Sequence, residues 1–306
     1  MLTVKNLRKE YTNTVAIDNI SFSLQPGRIF GLIGPNGAGK TTTIRIILNI
    51  IKPTTGEVLF DGKPMDRSIQ NVTGYLPEER GLYKKSTVLD VIVYLASLKN
   101  VSSHKAVQLA TEWLTKLDIL ESKNKKIEEL SKGNQQKIQF ITSVIHDPKI
   151  LILDEPFTGF DPINQQLIKE TILSLANAGK IIVLSTHQMD LAEKLCNDIF
   201  LINKGKEVCS GNLSEIKRQY GTQSIKIEYQ GDATFLNQNK DVAHVDMYQN
   251  YAEVQLHDSI NPSLFLRSIV DKIEVKHFSI IEPTLNKIFI DAIKNLESQS
   301  VAGGRN

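Results

Sequence analysis

The sequence predicts an α/β fold with a parallel central sheet, an antiparallel β subdomain and a helical insertion, followed by a small α+β C-terminal domain. Three observations support this prediction. A glycine-rich loop near residue 34 separates an apolar strand from a helix, another apolar strand ends in two acids at 154–155, and strand-like alternation begins after about residue 220. We expect a first domain over 1–211, with its insertion at about 84–146, and a second over 212–306 that ends in a disordered tail from Ser298.

Composition limits the class of protein. The 306 residues, 41% of them apolar, suffice for one large domain and one small domain. The net charge of +2 gives no field that would attract nucleic acid or an anionic membrane. The two cysteines, Cys196 and Cys209, have no metal-binding spacing and indicate a reducing compartment. No stretch approaches the roughly 18 apolar residues of a membrane span, and no signal peptide is evident, so we expect any membrane part to come from another chain.

The stretch from Gly34 to Thr41 fits the phosphate-loop pattern G-x-x-x-x-G-K-[ST], between an apolar strand and a helix. Glycines let successive backbone N–H groups point inward, and the helix start adds its positive end, so this loop predicts a polyphosphate site and the fold of a P-loop NTPase. Lys40 is expected to reach the β- and γ-phosphates, and the Thr41 hydroxyl to hold Mg²⁺. The predicted phosphate-binding residues are Asn36, Gly37, Ala38, Gly39, Lys40, Thr41 and Thr42.

A buried strand at Ile150–Asp154 leads directly into Glu155. Because unpaired buried charge is costly, two adjacent acids there indicate a cation: we expect Asp154 to hold Mg²⁺ through its water shell and Glu155 to lie beside the attacking water. A plain surface turn is the alternative. His187 follows the next strand and is placed to meet a γ-phosphate, although an isolated loop histidine usually has no such role.

Two further features allow two interpretations each. Ser131 and Gly133 begin a predicted helix, where serine serves equally as a helix N-cap and as a phosphate ligand. Tyr11 is predicted in a loop between the first strands, where its ring would either stack on an adenine or pack against the protein.

The remaining patterns place these features in a fold. Residues 1–30 predict short antiparallel strands, 57–60 and 73–76 predict strands, and 87–99 and 103–117 predict helices of the insertion. After a short helix at 211–221, the C-terminal domain is predicted to have strands at 224–229, 242–247, 251–256 and 273–281, with helices beginning near 261 and 284. No catalytic constellation is found in this domain.

The order of these motifs resembles that of the ATP-binding cassette (ABC) superfamily over Met1 to about Gly211. The resemblance implies that Glu78 occupies the Q-loop position, Leu130–Asn134 the signature, Gly159–Asp161 the D-loop and His187 the switch position. It also implies that two cassettes pair head to tail, so that Ser131 and Gly133 of one face the γ-phosphate held by Lys40 of the other. In this arrangement Glu155 is the general base, His187 contacts the γ-phosphate, and Asp161 links the two chains.

Two departures from the family pattern point to one branch of it. At the Q-loop position, Glu78 replaces the usual glutamine, and its carboxylate would join Thr41 and Asp154 around Mg²⁺. At the signature, this chain has LSKGN where the family pattern is LSGGQ. Both resemble a bacterial exporter branch of the sodium-extrusion and drug-resistance type. The resemblance implies an ATP-hydrolysing subunit that pairs with a second cassette under a separately encoded membrane permease, on the cytoplasmic face of the cell membrane.

Two alternatives remain at this level. One is a soluble cassette that acts on nucleic acid or ribosomes, although neither a long coiled coil between the two motifs nor a second cassette is present in the sequence. The other is a cassette whose ATPase is regulated by a small ligand bound to the C-terminal domain.

Overall fold

The computed structural model describes residues 1–66, 68–79, 81–220, 224–257 and 259–303, and beyond residue 294 it describes the backbone alone. The chain divides into two compact units, Met1–Gly211 and Asn212–Asn306. The predicted fold class is confirmed: a P-loop α/β unit with an antiparallel β subdomain and a helical insertion precedes a small α+β unit.

The strands of the first unit are β1 (Leu2–Tyr11), β2 (Thr14–Leu24), β3 (Ile29–Ile33), β4 (Thr55–Phe60), β5 (Lys63–Pro64), β6 (Thr73–Leu76), β7 (Ile150–Asp154), β8 (Ile181–Thr186), β9 (Asp198–Asn203) and β10 (Lys206–Asn212). Its helices are α1 (Lys40–Ile47), α2 (Ile69–Val72), α3 (Val88–Ser97), α4 (Ser103–Lys116), α5 (Lys132–Val144), α6 (Pro162–Asn177) and α7 (Met189–Leu195).

Two sheets build this unit. The central sheet has the order β10-β9-β3-β8-β7-β6, and from β9 to β6 neighbouring strands are parallel. Its inner strands β3, β7 and β8 are buried along their whole length and mostly apolar because both faces of the sheet are covered there. β3, β7 and β8 therefore end side by side at one edge, where ligands meet parallel sheets. The helices α3, α4 and α5 of the insertion contact one another.

The second sheet has the order β2-β1-β4-β5 and is antiparallel. Its first two strands are longer than the short strands that the sequence predicts. Register shifts interrupt their pairing near Asn6 and Asn19, both left-handed with φ of 47° and 55°. Such irregularities disturb the two-residue alternation from which strand length is read. Tyr11 pairs with Thr14, so it ends β1 rather than lying in the predicted loop.

The second unit contains α8 (Leu213–Tyr220), β11 (Ser224–Gln230), β12 (Val242–Met247), β13 (Tyr251–Leu256), α9 (Pro262–Ile269), β14 (Glu274–Ile281) and α10 (Leu285–Gly303). The four strands form an antiparallel sheet in the order β12-β13-β11-β14, and Phe265 and Ile269 of α9 join its buried cluster. α10 continues through Gly303, past Ser298, where the sequence predicts that a disordered tail begins; the disorder of that tail stays a prediction. Residues 304–306 lie outside the described residues.

Candidate active site

The phosphate loop connects the end of β3 to the start of α1 and approaches neighbouring backbone closely. Gly39 is the N-cap of α1 with φ of 111°, and a Cβ there would lie 2.7 Å from the Ala16 oxygen. A Cβ on Gly34 would lie only 2.1 Å from the Ile202 oxygen. Close contact therefore requires glycine at both positions, and at Gly39 the backbone conformation favours it as well.

Lys40 lies folded against this loop. Its ammonium Nζ donates to the Gly34 carbonyl at 2.7 Å and to the Pro35 carbonyl at 3.1 Å, and the side chain is buried. Burial lowers the pKa of Lys40, and the carboxylates of Glu155, Asp154 and Glu78 oppose that shift. The loop thus holds a cation at the site where phosphates would add the negative charge that stabilises it.

The two acids at the end of β7 are buried, with 2% of Asp154 and 5% of Glu155 exposed. Burial raises the pKa of the Asp154 carboxyl, and the charges of Glu78 and Glu155 act in the same direction. The Glu155 backbone has φ of 48°, and its N–H donates to the Ser185 oxygen of β8 at 2.9 Å. The turn after β7 therefore keeps both carboxyl groups at the edge of the sheet.

Glu155 and His187 are bonded to each other. Glu155 Oε1 accepts the His187 backbone N–H at 2.9 Å and lies 2.6 Å from His187 Nδ1, while Oε2 accepts the Thr186 hydroxyl at 3.0 Å. A carboxylate only accepts hydrogen bonds, so it selects the tautomer with hydrogen on Nδ1. The Nε2 atom then faces away from Glu155, on a ring that is about half exposed.

One cleft of about 630 Å³ brings most predicted residues together. The predicted residues that line it are Asn36, Gly37, Gly39, Lys40, Thr41, Thr42, Glu78, Asp154 and Glu155. Five others, which sequence reasoning missed, also line it: Thr14, Val15, Ala16, Lys204 and Gly205. Lys204 and Gly205 form the two-residue turn between β9 and β10, with positive φ at both, which a sequence pattern detects as a turn but does not place beside the phosphate loop.

Other predicted residues do not line this cleft. The Ala38 N–H donates to the Pro35 carbonyl at 3.2 Å within the loop itself, and Tyr11 is half exposed at the end of β1. His187 does not line the cleft itself but contacts Glu155, which does. Stacking of Tyr11 on an adenine stays a prediction, since the structure places Val15 and Ala16, not Tyr11, at the cleft wall.

Ser131, Gly133 and Asp161 belong to a different surface. The Ser131 hydroxyl accepts the Asn134 N–H at 3.2 Å and Asp161 accepts the Asn164 N–H at 2.9 Å, so each caps its own helix. A Cβ on Gly133 would lie 3.7 Å from the Gly159 oxygen, so the signature and the D-loop are neighbours. The N-cap interpretation of Ser131 is therefore confirmed. The cap uses the hydroxyl oxygen as an acceptor, so it does not use the O–H donor of Ser131.

The oxygen donors in the cleft fit Mg²⁺. Among the described residues no group of three or more His, Cys, Asp or Glu side chains is arranged as a metal centre. Magnesium at nucleotide sites needs fewer protein ligands, because phosphates and water supply the rest of its shell. The Thr41 hydroxyl and the Asp154 and Glu78 carboxyl groups line the same cleft and are hard oxygen donors of the required kind.

Fold and cleft together define a P-loop nucleotide-binding protein. The family model described as "ABC transporter" matches residues 17–158, and that of the "ATP-binding protein DrrA1-3-like, C-terminal domain" matches residues 211–293. The ABC transporter ATP-binding protein YhaQ of Bacillus subtilis is 42% identical over 96% of this chain and 98% of its own length.

More distant relatives agree. The Nod factor export ATP-binding protein I of Cupriavidus metallidurans is 34% identical over 71% of this chain and 72% of its own. The linearmycin resistance ATP-binding protein LnrL of Bacillus subtilis is 29% identical over 95% of this chain and 97% of its own length. A dimeric ATP-binding cassette solved after hydrolysis with ADP and phosphate superposes with a TM-score of 0.64 at 25% identity, over 70% of this chain and 99% of that one.

The chain belongs to the ABC transporter family as an ATP-binding subunit, and it is an ATPase. This confirms the main interpretation of the sequence and not the alternative of a cassette that acts on nucleic acid or ribosomes. None of the described helices has the length and apolar character needed to cross a bilayer.

Proposed function

We propose that this chain drives an exporter: ATP closes a head-to-tail pair of cassettes, hydrolysis reopens it, and the movement works a permease on a separate chain. The observation that carries the proposal is the division of the predicted nucleotide ligands between two surfaces. Lys40, Thr41, Asp154 and Glu155 are assembled at one cleft, whereas Ser131 has its place on a different surface.

Within the cleft the roles follow from the contacts. Lys40 would exchange its two loop carbonyls for β- and γ-phosphate oxygens, which form stronger charge-assisted hydrogen bonds. Thr41, Asp154 and Glu78 would hold Mg²⁺, which when bound neutralises phosphate charge. The predicted loop residues Asn36, Gly37, Gly39 and Thr42, which line the cleft, would present their backbone N–H groups to the phosphates. The Ala38 N–H would first have to leave the Pro35 carbonyl.

Glu155 would orient the attacking water and accept its proton. Its carboxylate is held by the Thr186 hydroxyl and by two contacts from His187, so its orientation does not depend on the nucleotide. With hydrogen on Nδ1, the His187 ring presents an N–H from Nε2 to a γ-phosphate only as the imidazolium. We therefore assign His187 two tasks, which are to position Glu155 and, in its cationic form, to contact the γ-phosphate.

The second cassette would complete the site. Ser131 and Gly133 begin a helix whose positive end suits the γ-phosphate of a partner, and Asp161 lies next to them across the Gly159 contact. A solved dimeric cassette among the structural relatives supports this pairing. The partner cassette is either a second copy of this chain or a related chain.

Export rather than import is supported by relatives whose names state Nod factor export and linearmycin resistance. The matching C-terminal family model is also that of a DrrA-like protein. We place the chain at the cytoplasmic face of the cell membrane, bound to its permease.

The decisive experiment is to measure ATP turnover by the purified chain, alone and with the membrane subunit with which it co-purifies. We expect Mg²⁺-dependent turnover that Glu155→Gln abolishes and that rises in the complex. Failure of the chain to co-purify with any membrane protein, or turnover unaffected by Glu155→Gln, would contradict the proposal.

A further inference from the structure

A buried amide on α5 holds the segment that presents Glu78 to the cleft. Gln139 is 4% exposed and lies two turns after the serine tip of its helix. Its Nε2 donates to the Pro77 carbonyl at 3.3 Å and to the Glu79 carbonyl at 3.1 Å. These two carbonyls flank Glu78, so one side chain fixes the backbone on both sides of that residue.

The orientation of this amide follows from its partners. Both are carbonyl oxygens, which accept only, so the NH₂ group must face them and Oε1 must point the other way. Within the described part of the chain, Oε1 is buried and has no hydrogen-bond partner. An unpaired buried acceptor destabilises a fold, and a methionine of similar size would remove this acceptor but leave the Pro77 and Glu79 carbonyls without their donor. What glutamine supplies at this position is therefore the pair of hydrogen bonds to that backbone.

These hydrogen bonds lie close to the proposed chemistry. Glu78 lines the cleft with Lys40 and Asp154. The interaction of a carboxylate with these groups depends on distance, and the distance depends on where the backbone of 77–79 lies. Gln139 connects that backbone to α5, the helix that Ser131 caps.

We propose that Gln139 is a positioning residue: its two hydrogen bonds set the place of the Glu78 carboxylate in the nucleotide cleft and tie it to the helix that carries the signature serine. The inference rests on the proposed function, in which Glu78 helps to hold Mg²⁺. It extends that function by naming the group through which movement of α5 reaches the cleft.

The test is a double-mutant cycle on the full chain, with Gln139→Met, Glu78→Ala and both together. Turnover is measured against Mg²⁺ concentration and pH, and the melting temperature is recorded. We expect Gln139→Met to change the half-saturating Mg²⁺ concentration or the turnover about tenfold, as supporting residues around metal sites do, while the melting temperature falls by no more than a few degrees. In the Gln139→Met background, Glu78→Ala should have less than about a third of its effect on the wild type.

Ser143→Ala is the matched control, because Ser143 is buried one turn further along α5 and donates to the Phe140 carbonyl at 2.7 Å. It should leave the Mg²⁺ and pH dependence unchanged. Wild-type kinetics in Gln139→Met, additive effects in the double mutant, or a loss of activity that matches the fraction of unfolded protein at the assay temperature would overturn the inference. An effect of Glu78→Ala that persists in Gln139→Met contradicts the inference alone, whereas a Glu78→Ala variant indistinguishable from wild type contradicts the proposed metal role itself.

Discussion

The cleft around Lys40 and the surface around Ser131 differ in how far each is assembled. In the cleft, Lys40, Asp154 and Glu155 are buried and already held by hydrogen bonds or neighbouring charges. At the other surface, Ser131 and Asp161 are exposed, and each accepts a backbone N–H at the start of its own helix. The comparison teaches that the two groups of proposed nucleotide ligands are assembled to different extents within one chain, as expected if the surface around Ser131 is completed by another chain.

The largest expected effect is on ATP turnover and comes from a substitution in the cleft around Lys40. Replacing Glu155 with glutamine removes the proton acceptor but keeps the size of the side chain, so turnover should fall about 10²- to 10⁴-fold while ATP binding persists. Single-turnover kinetics and nucleotide-binding measurements at matched concentrations check this. Equal loss of binding and turnover would mean that Glu155 is structural rather than the base.

The substitution Ser131→Asp tests the surface around Ser131, because it separates helix capping from contact with a phosphate. Aspartate caps a helix as well as serine does, so the melting temperature should stay within a few degrees. A second negative charge facing a γ-phosphate should nevertheless lower turnover about tenfold or more. Asn261→Asp at the cap of α9, where Asn261 accepts the Ser263 N–H at 2.8 Å, is the matched control and should not change turnover. Full activity in Ser131→Asp would leave capping as its sole role.

Mixing two defective chains tests whether the halves combine. Chains with Lys40→Ala have a defective nucleotide cleft, and chains with Ser131→Asp have a defective surface at the start of α5. In a head-to-tail pair of the two, one composite site is intact and the other has both defects. Because half of randomly formed pairs are mixed, an equal mixture should recover about a quarter of wild-type turnover. If the mixture is no more active than its components, the two surfaces do not meet.

The smallest expected effect concerns stability within the cleft. Burial raises the pKa of Asp154, so its ionised form destabilises the folded chain at neutral pH. Asp154→Asn should therefore raise the melting temperature while lowering Mg²⁺-dependent turnover. The gain should shrink as the pH falls through the pKa of folded Asp154, where the wild-type carboxyl becomes neutral. A gain that is constant with pH would assign the effect to packing instead of charge.

The catalytic half was easier to predict than the rest of the site for a physical reason. A strand that ends in a glycine loop and a strand that ends in two acids are contiguous patterns, and parallel strands bring their ends to one edge. Val15 of β2 and Gly205 of the turn between β9 and β10 also line the cleft. Both are far in sequence from the phosphate loop or from each other, so only tertiary packing shows that they belong to the site. Tyr11 was placed wrongly because irregular pairing hid the end of β1.

By itself, the amino-acid sequence determined the class of fold, the phosphate loop, the paired acids and the serine-led helix, because local periodicity and short motifs specify backbone conformation. Only the tertiary structure decided that Glu155 bonds to His187 and that Gln139 donates two hydrogen bonds to the backbone on either side of Glu78. Those contacts join residues far apart in the chain, and their geometry depends on how helices and sheet pack, which no local pattern encodes.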